Sequence, residues 1–234
     1  MVHIIRGERM IEQELQNVKA ILKDNQQIIA KERKYFNSAV LIPLLNIDGT
    51  YHFLFQRRAS GISQPHEICF PGGKYEAKVD SNYQETAIRE TKEELGVLAE
   101  NINLLGKLGT IVAPLGVTID AFVGQLNITD IDNLDLNHKE VLEVFTIPVE
   151  YFENNHPQEY FVRVQMHPYD VNQEGEKVTL LPVEELDLPE KYATPWSGHQ
   201  HNVLVYSTTQ GVIWGITAEL ITELINKFEP LDFI

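Results

Sequence analysis

The residues best suited to chemistry are Glu90, Glu93 and Glu94, in the run Arg89-Glu90-Thr91-Lys92-Glu93-Glu94-Leu95-Gly96-Val97. On a helix turning about 100° per residue, Glu90 and Glu94 lie about 40° apart and Glu93 about 60° to the other side, so one face carries all three carboxylates. Carboxylates this close repel one another unless a cation sits among them. Oxygen donors with no His or Cys nearby suit Mg²⁺ or Mn²⁺ rather than zinc. Such an ion binds phosphate oxygens, offsets the charge of an anionic substrate and activates water. Arg89 stands where an ion pair can fix the carboxylates. The structural alternative is a solvated acidic helix face.

The run needs elements to position it. Ahead of it stands Phe70-Pro71-Gly72-Gly73-Lys74-Tyr75-Glu76, so the order reads strand end, glycine turn, loop, helix and glycine stop. The helix is expected over Ser81 to Leu95, capped by Asp80 or Ser81 and ended by Gly96, with Ile88, Thr91 and Leu95 anchoring its far side. Asp48-Gly49 between the runs Ala39 to Leu45 and Tyr51 to Arg57 signals a hairpin. Further strand-like segments are Ile68 to Phe70, Leu104 to Val112, Val117 to Leu126, Val144 to Ile147, Tyr160 to His167, His201 to Ser207 and Val212 to Trp214. A second amphipathic helix is expected over Thr217 to Phe228. Strands and helices without strict βαβ alternation predict an α+β chain, an α/β/α sandwich with a mixed sheet between helices.

Two flanking features complete the plan. From Met10 to Ala30 apolar residues at Ile11, Leu15, Val18, Leu22 and Ile29 predict an amphipathic helix, which packs on the protein's own core or forms a homodimer contact. The chain therefore divides into a helical extension at 1–36 and a main domain at 37–234. The stretch Asp170 to Gln200, rich in charge and proline, is expected to be an insertion or long loop.

Composition excludes several classes. The chain has 234 residues, 43% of them hydrophobic, and 19 Lys+Arg against 34 Asp+Glu, a formal charge of −15. That suits one globular domain with an appendage, or at most two small domains, and rules out disorder and collagen. No stretch approaches a membrane span and the first residues lack signal-peptide order, so a soluble cytoplasmic protein is expected. The single Cys69 excludes an intramolecular disulfide and a Cys-rich zinc site; it is expected to be a small buried hydrophobe. Residues 1–74 hold 10 basic and 7 acidic residues, and 75–234 hold 9 and 27. Neither part has the Lys/Arg stripe of an extended nucleic-acid partner.

The segment around the glutamates resembles the signature of the Nudix hydrolases, G-x5-E-x7-R-E-U-x-E-E-x-G-U, with U aliphatic. Arg89, Glu90, Glu93, Glu94, Gly96 and Val97 match in place, and Gly73 matches the opening glycine. Gly73 to Arg89 is 16 positions where the pattern has 14, so the loop is longer, Asp80 is the nearest substitute for the loop acid, and Thr91 stands for an aliphatic residue. Ahead of the box, the coenzyme A pyrophosphatase branch shows L-L-T-x-R-[SA]-x3-R-x3-G-x3-F-P-G-G. Phe53 to Gly73 is similar, with Arg57 and the Phe-Pro-Gly-Gly end in place, Ile62 for the second arginine and His66 for the glycine. Likeness to the branch continues at Ala113-Pro114-Leu115-Gly116, Glu140 to Phe145 with Ile147-Pro148, and Ile213 to Ala218.

The resemblance implies hydrolysis of a nucleoside diphosphate linked to another group, with coenzyme A or acyl-coenzyme A as the leading substrate and ADP-ribose or another such derivative as the alternative. It implies metal binding by Glu90, Glu93 and Glu94 with Gly73, and catalytic roles for Arg89, Glu93 and Glu94. Glu140 is expected to be a fourth ligand or general base, with Glu143 as its competitor. Arg57, Arg58 and Lys74 are candidate substrate contacts, each also readable as a surface cation. A Nudix-fold ligand sensor without catalysis is the alternative from another class. His199 and His201 are expected to be a solvated pair, Trp214 to pack, and Trp196 to pack or stack on a base.

Overall fold

The computed structural model describes residues 28, 30–114 and 116–228. The chain divides into two compact units, residues 1–35 and 36–234. In the first, the described part holds a one-turn helix, α1 (Lys31–Lys34), entered through Ala30 in the left-handed conformation. The amphipathic helix expected from Met10 lies, apart from its last residues, outside the described residues.

In the second unit β1 (Phe36–Ile47) and β2 (Thr50–Arg58) form the expected hairpin, with Ile47 opposite Thr50. Asp48 and Gly49 both take positive φ, 50° and 87°, as a twist-matched two-residue turn requires. Further along come β3 (Ile68–Cys69), β4 (Gly72–Lys74), α2 (Tyr83–Leu95), β5 (Ile102–Ala113), β6 (Val117–Leu126) and β7 (Val141–Pro148). The sheet order is β3-β2-β1-β6-β5, with β4 also on β1 and β7 also on β2. Only β1 and β6 run parallel among these pairs.

Alternation along the strands divides the core in two. Ile42, Leu44, Phe53, Phe55, Ala121 and Val123 pack against α3 (Val149–Asn154) and α4 (Gly215–Phe228). Ala39, Leu41, Leu45, Leu54, Phe122 and Leu126 pack against Ala87 and Leu95 of α2. The mixed sheet thus lies between helices, as expected.

Two expectations change. The cap of α2 is Asn82, whose side chain accepts from the Glu85 N–H, because Asp80 is drawn inward. The stretch 170–200 is more regular than a loop. It holds all but the first residue of a hairpin formed by β9 (Tyr169–Val171) and β10 (Lys177–Thr179), and the start of β11 (Trp196–Thr208). β11 pairs with β8 (Gln158–Met166) and β12 (Gly211–Trp214) in a separate sheet. No helix among the described residues is long and apolar enough to cross a membrane.

Candidate active site

The glutamates gather where α2 crosses β4. Strand β4 carries two glycines, at Gly72 because backbone leaves no room for a Cβ and at Gly73 because a Cβ would displace the Glu90 carboxylate. A Cβ at Gly72 would lie 2.4 Å from the Ala39 carbonyl oxygen, and one at Gly73 would lie 2.4 Å from the Glu90 carboxyl carbon. The Gly72 N–H donates to Glu94 Oε2 at 2.9 Å. Glu94 is buried, and burial pushes its carboxyl up to about 7, reinforced by the charges of Glu90 and Glu140 and opposed by hydrogen bonds from Gly72 and Gln56. Glu90 is half-buried and is also raised by burial, with Arg89 pulling the other way.

Arg89 organises the rest. Its Nε and Nη2 donate to the two carboxyl oxygens of Asp80 at 2.8 and 2.9 Å, its Nη1 to Glu90 at 2.8 Å and Glu93 at 3.0 Å, and Nη2 also to the Lys74 carbonyl. Asp80 is buried and accepts further from the Glu76 N–H and Thr86 hydroxyl, both at 3.0 Å. The Arg89 hydrogen bonds hold its carboxyl down at about 2. Asp80 is therefore one side of a clamp that aims Arg89 at Glu90 and Glu93.

The three helix carboxylates are not equivalent. Adjacent residues stand about 100° apart, so when Glu94 turns into the sheet Glu93 turns out; its side chain is 56% exposed and held by Arg89. Ile88 is only half-buried, and Ala87, Thr91 and Leu95 form the anchoring side instead. Gly96, φ 68°, ends the helix as expected.

The fourth carboxylate comes from the loop before β7. The Asn137 N–H donates to the Glu94 carbonyl at 3.0 Å, and the Ala59 N–H to the Glu140 carbonyl at 2.9 Å, which tie this loop to both α2 and β2. The Glu140 charge raises both Glu90 and Glu94, whereas Glu143 is engaged elsewhere, 2.7 Å from Arg57 Nε. Glu140 is thus the acid whose charge reaches the helix carboxylates, while Glu143 is held by Arg57.

The candidate cations separate. Arg57 donates to Glu143 and, at 2.7 Å, to the Gln210 carbonyl, and its guanidinium lies over Phe145. It shares the strand face of Phe53 and Phe55, away from α2. Arg58 donates to the Ser63 carbonyl at 2.9 Å and stands close enough to Cys69 to favour its thiolate. Cys69 neighbours Glu94, and burial pushes its thiol up to about 11. Lys74 is exposed. His199 and His201 are exposed on β11, Trp196 packs edge-on against Tyr192, and Trp214 is 46% exposed rather than packed.

Two contributors escape sequence reasoning. Gln56 is fully buried beside Glu94 and Cys69, with its Oε1 unpartnered among the described residues. A polar residue directly after the apolar run Phe53-Leu54-Phe55 was the available signal. Gly72 is the other, a donor as well as a gap.

An oxygen-only set of carboxylates, one of them kept protonatable by burial and facing like charges, fits a hard divalent cation. Among the described residues no group of three acidic, His or Cys side chains is gathered tightly enough to hold one by itself.

The NUDIX domain family matches residues 35–200, well over half of the chain, and the chain belongs to that family. Similar curated proteins include Nudix hydrolase 3 of Caenorhabditis elegans, 33% identical over 62% of this chain and 61% of that protein. The peroxisomal coenzyme A diphosphatase NUDT7 of Mus musculus is 36% identical over 53% of this chain and 50% of that protein. The mitochondrial coenzyme A diphosphatase NUDT8 of Homo sapiens is 32% identical over 53% of each. The chain thus spans about half to three fifths of these relatives' own length.

Proposed function

We propose that this protein is a Mg²⁺- or Mn²⁺-dependent pyrophosphatase that hydrolyses the diphosphate linkage of coenzyme A or acyl-coenzyme A to 3′,5′-ADP and (acyl-)phosphopantetheine. The observation that carries the reading is the placement of Glu90 and Glu94 against the Gly72-Gly73 strand, both within reach of the Glu140 charge, with Glu93 and Arg89 at the rim. Glu90, Glu94 and Glu140 would hold the ion, with Glu93 and Gly73 at its edge. Bound there, a divalent ion supplies charge for the diphosphate oxygens and lowers the pKa of an attacking water.

The chain's own groups do the rest. The Asp80–Arg89 clamp fixes Glu90 and Glu93, which keeps the donors oriented before substrate arrives. Glu94, with its carboxyl pushed up to about 7, is the group of the set best suited to exchange a proton. Arg58, on the strand face of Gln56, is the cation best placed for a phosphate.

The coenzyme A choice is supported by two relatives named for that activity and by the Arg57 and Phe70 to Gly73 motif. His66, at the glycine position of that motif, has a left-handed backbone at φ 65°, the conformation glycine adopts most readily. Ile62 in place of the second arginine favours testing ADP-ribose alongside. A cytoplasmic setting belongs to the same proposal, although two relatives are named for other compartments.

The test is turnover of coenzyme A, an acyl derivative and ADP-ribose with Mg²⁺ and with Mn²⁺, products resolved by mass. Release of 3′,5′-ADP from coenzyme A is expected; no turnover with either metal overturns the substrate choice. Loss of turnover in Glu94→Gln is expected of an enzyme, whereas nucleotide binding by the wild type with no turnover of any of the three compounds would favour the sensor.

A further inference from the structure

The sheet β12-β11-β8 ends in an arm whose outer edge pairs with no other described strand. β12 pairs only Val205 to Thr208 of β11, so from Trp196 to Leu204 the ribbon consists of β11 and β8 alone. β8 is its edge, and every residue from Gln158 to Arg163 is exposed. Tyr160 is 54%, Phe161 58% and Val162 51% exposed, and these three lie on both faces of the strand. A two-stranded ribbon is marginal by itself in water, and an apolar unpaired edge is a template for another strand.

The edge is complementary to itself. Reading Glu159-Tyr160-Phe161-Val162-Arg163 in both directions about Phe161 places Glu159 opposite Arg163, Tyr160 opposite Val162, and Phe161 opposite its own copy. Antiparallel pairing about a two-fold axis through Phe161 keeps like faces together, because residues directly opposite one another share a face. Two ion pairs flank an aromatic pair, and no like charges meet. The other edge of the ribbon, Gly198-His199-Gln200-His201-Asn202, has neither apolar residues nor opposite charges to offer.

We infer that β8 is the homodimer interface of this protein, pairing with β8 of a second copy in the register centred on Phe161 to form a continuous β11-β8-β8-β11 sheet. This places self-association on the arm rather than on the N-terminal segment.

The full chain is measured by light scattering and sedimentation. A dimer is expected; a monomer at about 100 μM overturns the proposal. Arg163→Glu sets acid against acid twice and is expected to raise the dimer Kd at least about tenfold. The double exchange Glu159→Arg with Arg163→Glu is expected to restore it, and failure to do so in a folded protein overturns the register. Phe161→Cys provides an independent readout, because opposite Cα atoms at about 4.5–5.5 Å lie within disulfide range. A covalent dimer under mild oxidation is expected, and none in a folded variant overturns the pairing.

Discussion

Removing the Asp80 carboxylate isolates what the clamp contributes. The carboxyl is buried and receives four hydrogen bonds, two of them from the Arg89 guanidinium. Held at about 2 against an ordinary 3.8, it favours its charged form in the fold by roughly 2.5 kcal/mol. Asp80→Ala also strips two donors, the Glu76 N–H and Thr86 hydroxyl, of a partner. Arg89 keeps Glu90 and Glu93, so the cost falls at the low end for a broken buried pair, about 3 kcal/mol. For a unit of this size that is about 6–12 °C in Tm. The pH dependence has a definite sign. A carboxyl whose folded pKa is depressed contributes its full stability above the unfolded pKa and loses it as pH falls toward 2. Urea unfolding of wild type and Asp80→Ala at pH 7 is expected to differ by about 3 kcal/mol, and the gap narrows as the pH falls from 5 toward 3. A gap below about 1 kcal/mol at pH 7, or one that widens in acid, refutes the clamp as the seat of this stability.

Three further outcomes are expected. Gly73→Ala pushes on the flexible end of Glu90, so its Tm stays within about 3 °C of wild type while turnover falls at least about 100-fold; a measured unfolding curve and an activity assay on one sample decide it. Glu94 has a folded pKa raised to about 7, so the metal-free protein loses stability as pH rises from 4.5 through 7, by roughly 3 kcal/mol. Thermal melts in chelator should show Glu94→Gln more stable than wild type at pH 8 and equal to it near pH 4, even though the variant is inactive. Arg58→Ala is expected to raise KM for coenzyme A at least about tenfold, whereas Arg57→Ala, which removes the Glu143 and Gln210 contacts, lowers Tm with KM nearly unchanged.

Much of the site was legible in the sequence where its causes are local. Gly96 ends α2 because the turn needs a left-handed residue next in the chain, and Asp48-Gly49 closes its hairpin for the same kind of reason. Periodicity put Glu90 and Glu94 on one face. It did not show that β4 runs under that face, and so could not tell buried Glu94 from exposed Glu93. Asp80 reads as a cap by position, and only the approach of Arg89 nine residues on makes it a clamp. Arg57 and Arg58 are indistinguishable as letters. Strand alternation, interrupted by the bulge between them, sends them to different surroundings. The β8 arm gave a strand signal, but nothing in it announced that both its faces stay bare.

The parallel contact of β1 with β6 has a consequence for the order in which the molecule can be made. Phe36 lies beside Val117 and Leu44 beside Gln125, so partners about 80 residues apart must meet at the centre of the sheet. The glycine strand, the clamp and the whole of α2 belong to the excursion between them. A chain emerging from the ribosome displays every carboxylate of α2 well before β6 exists to close the open side of β1. Contacts of such long range form slowly, and the bare edge of β1 is available to other chains in the interval. Assembly of the α2 site is therefore gated in time by a strand that carries none of its proposed catalytic residues, and the last of those carboxylates, Glu140, is synthesised only after that strand.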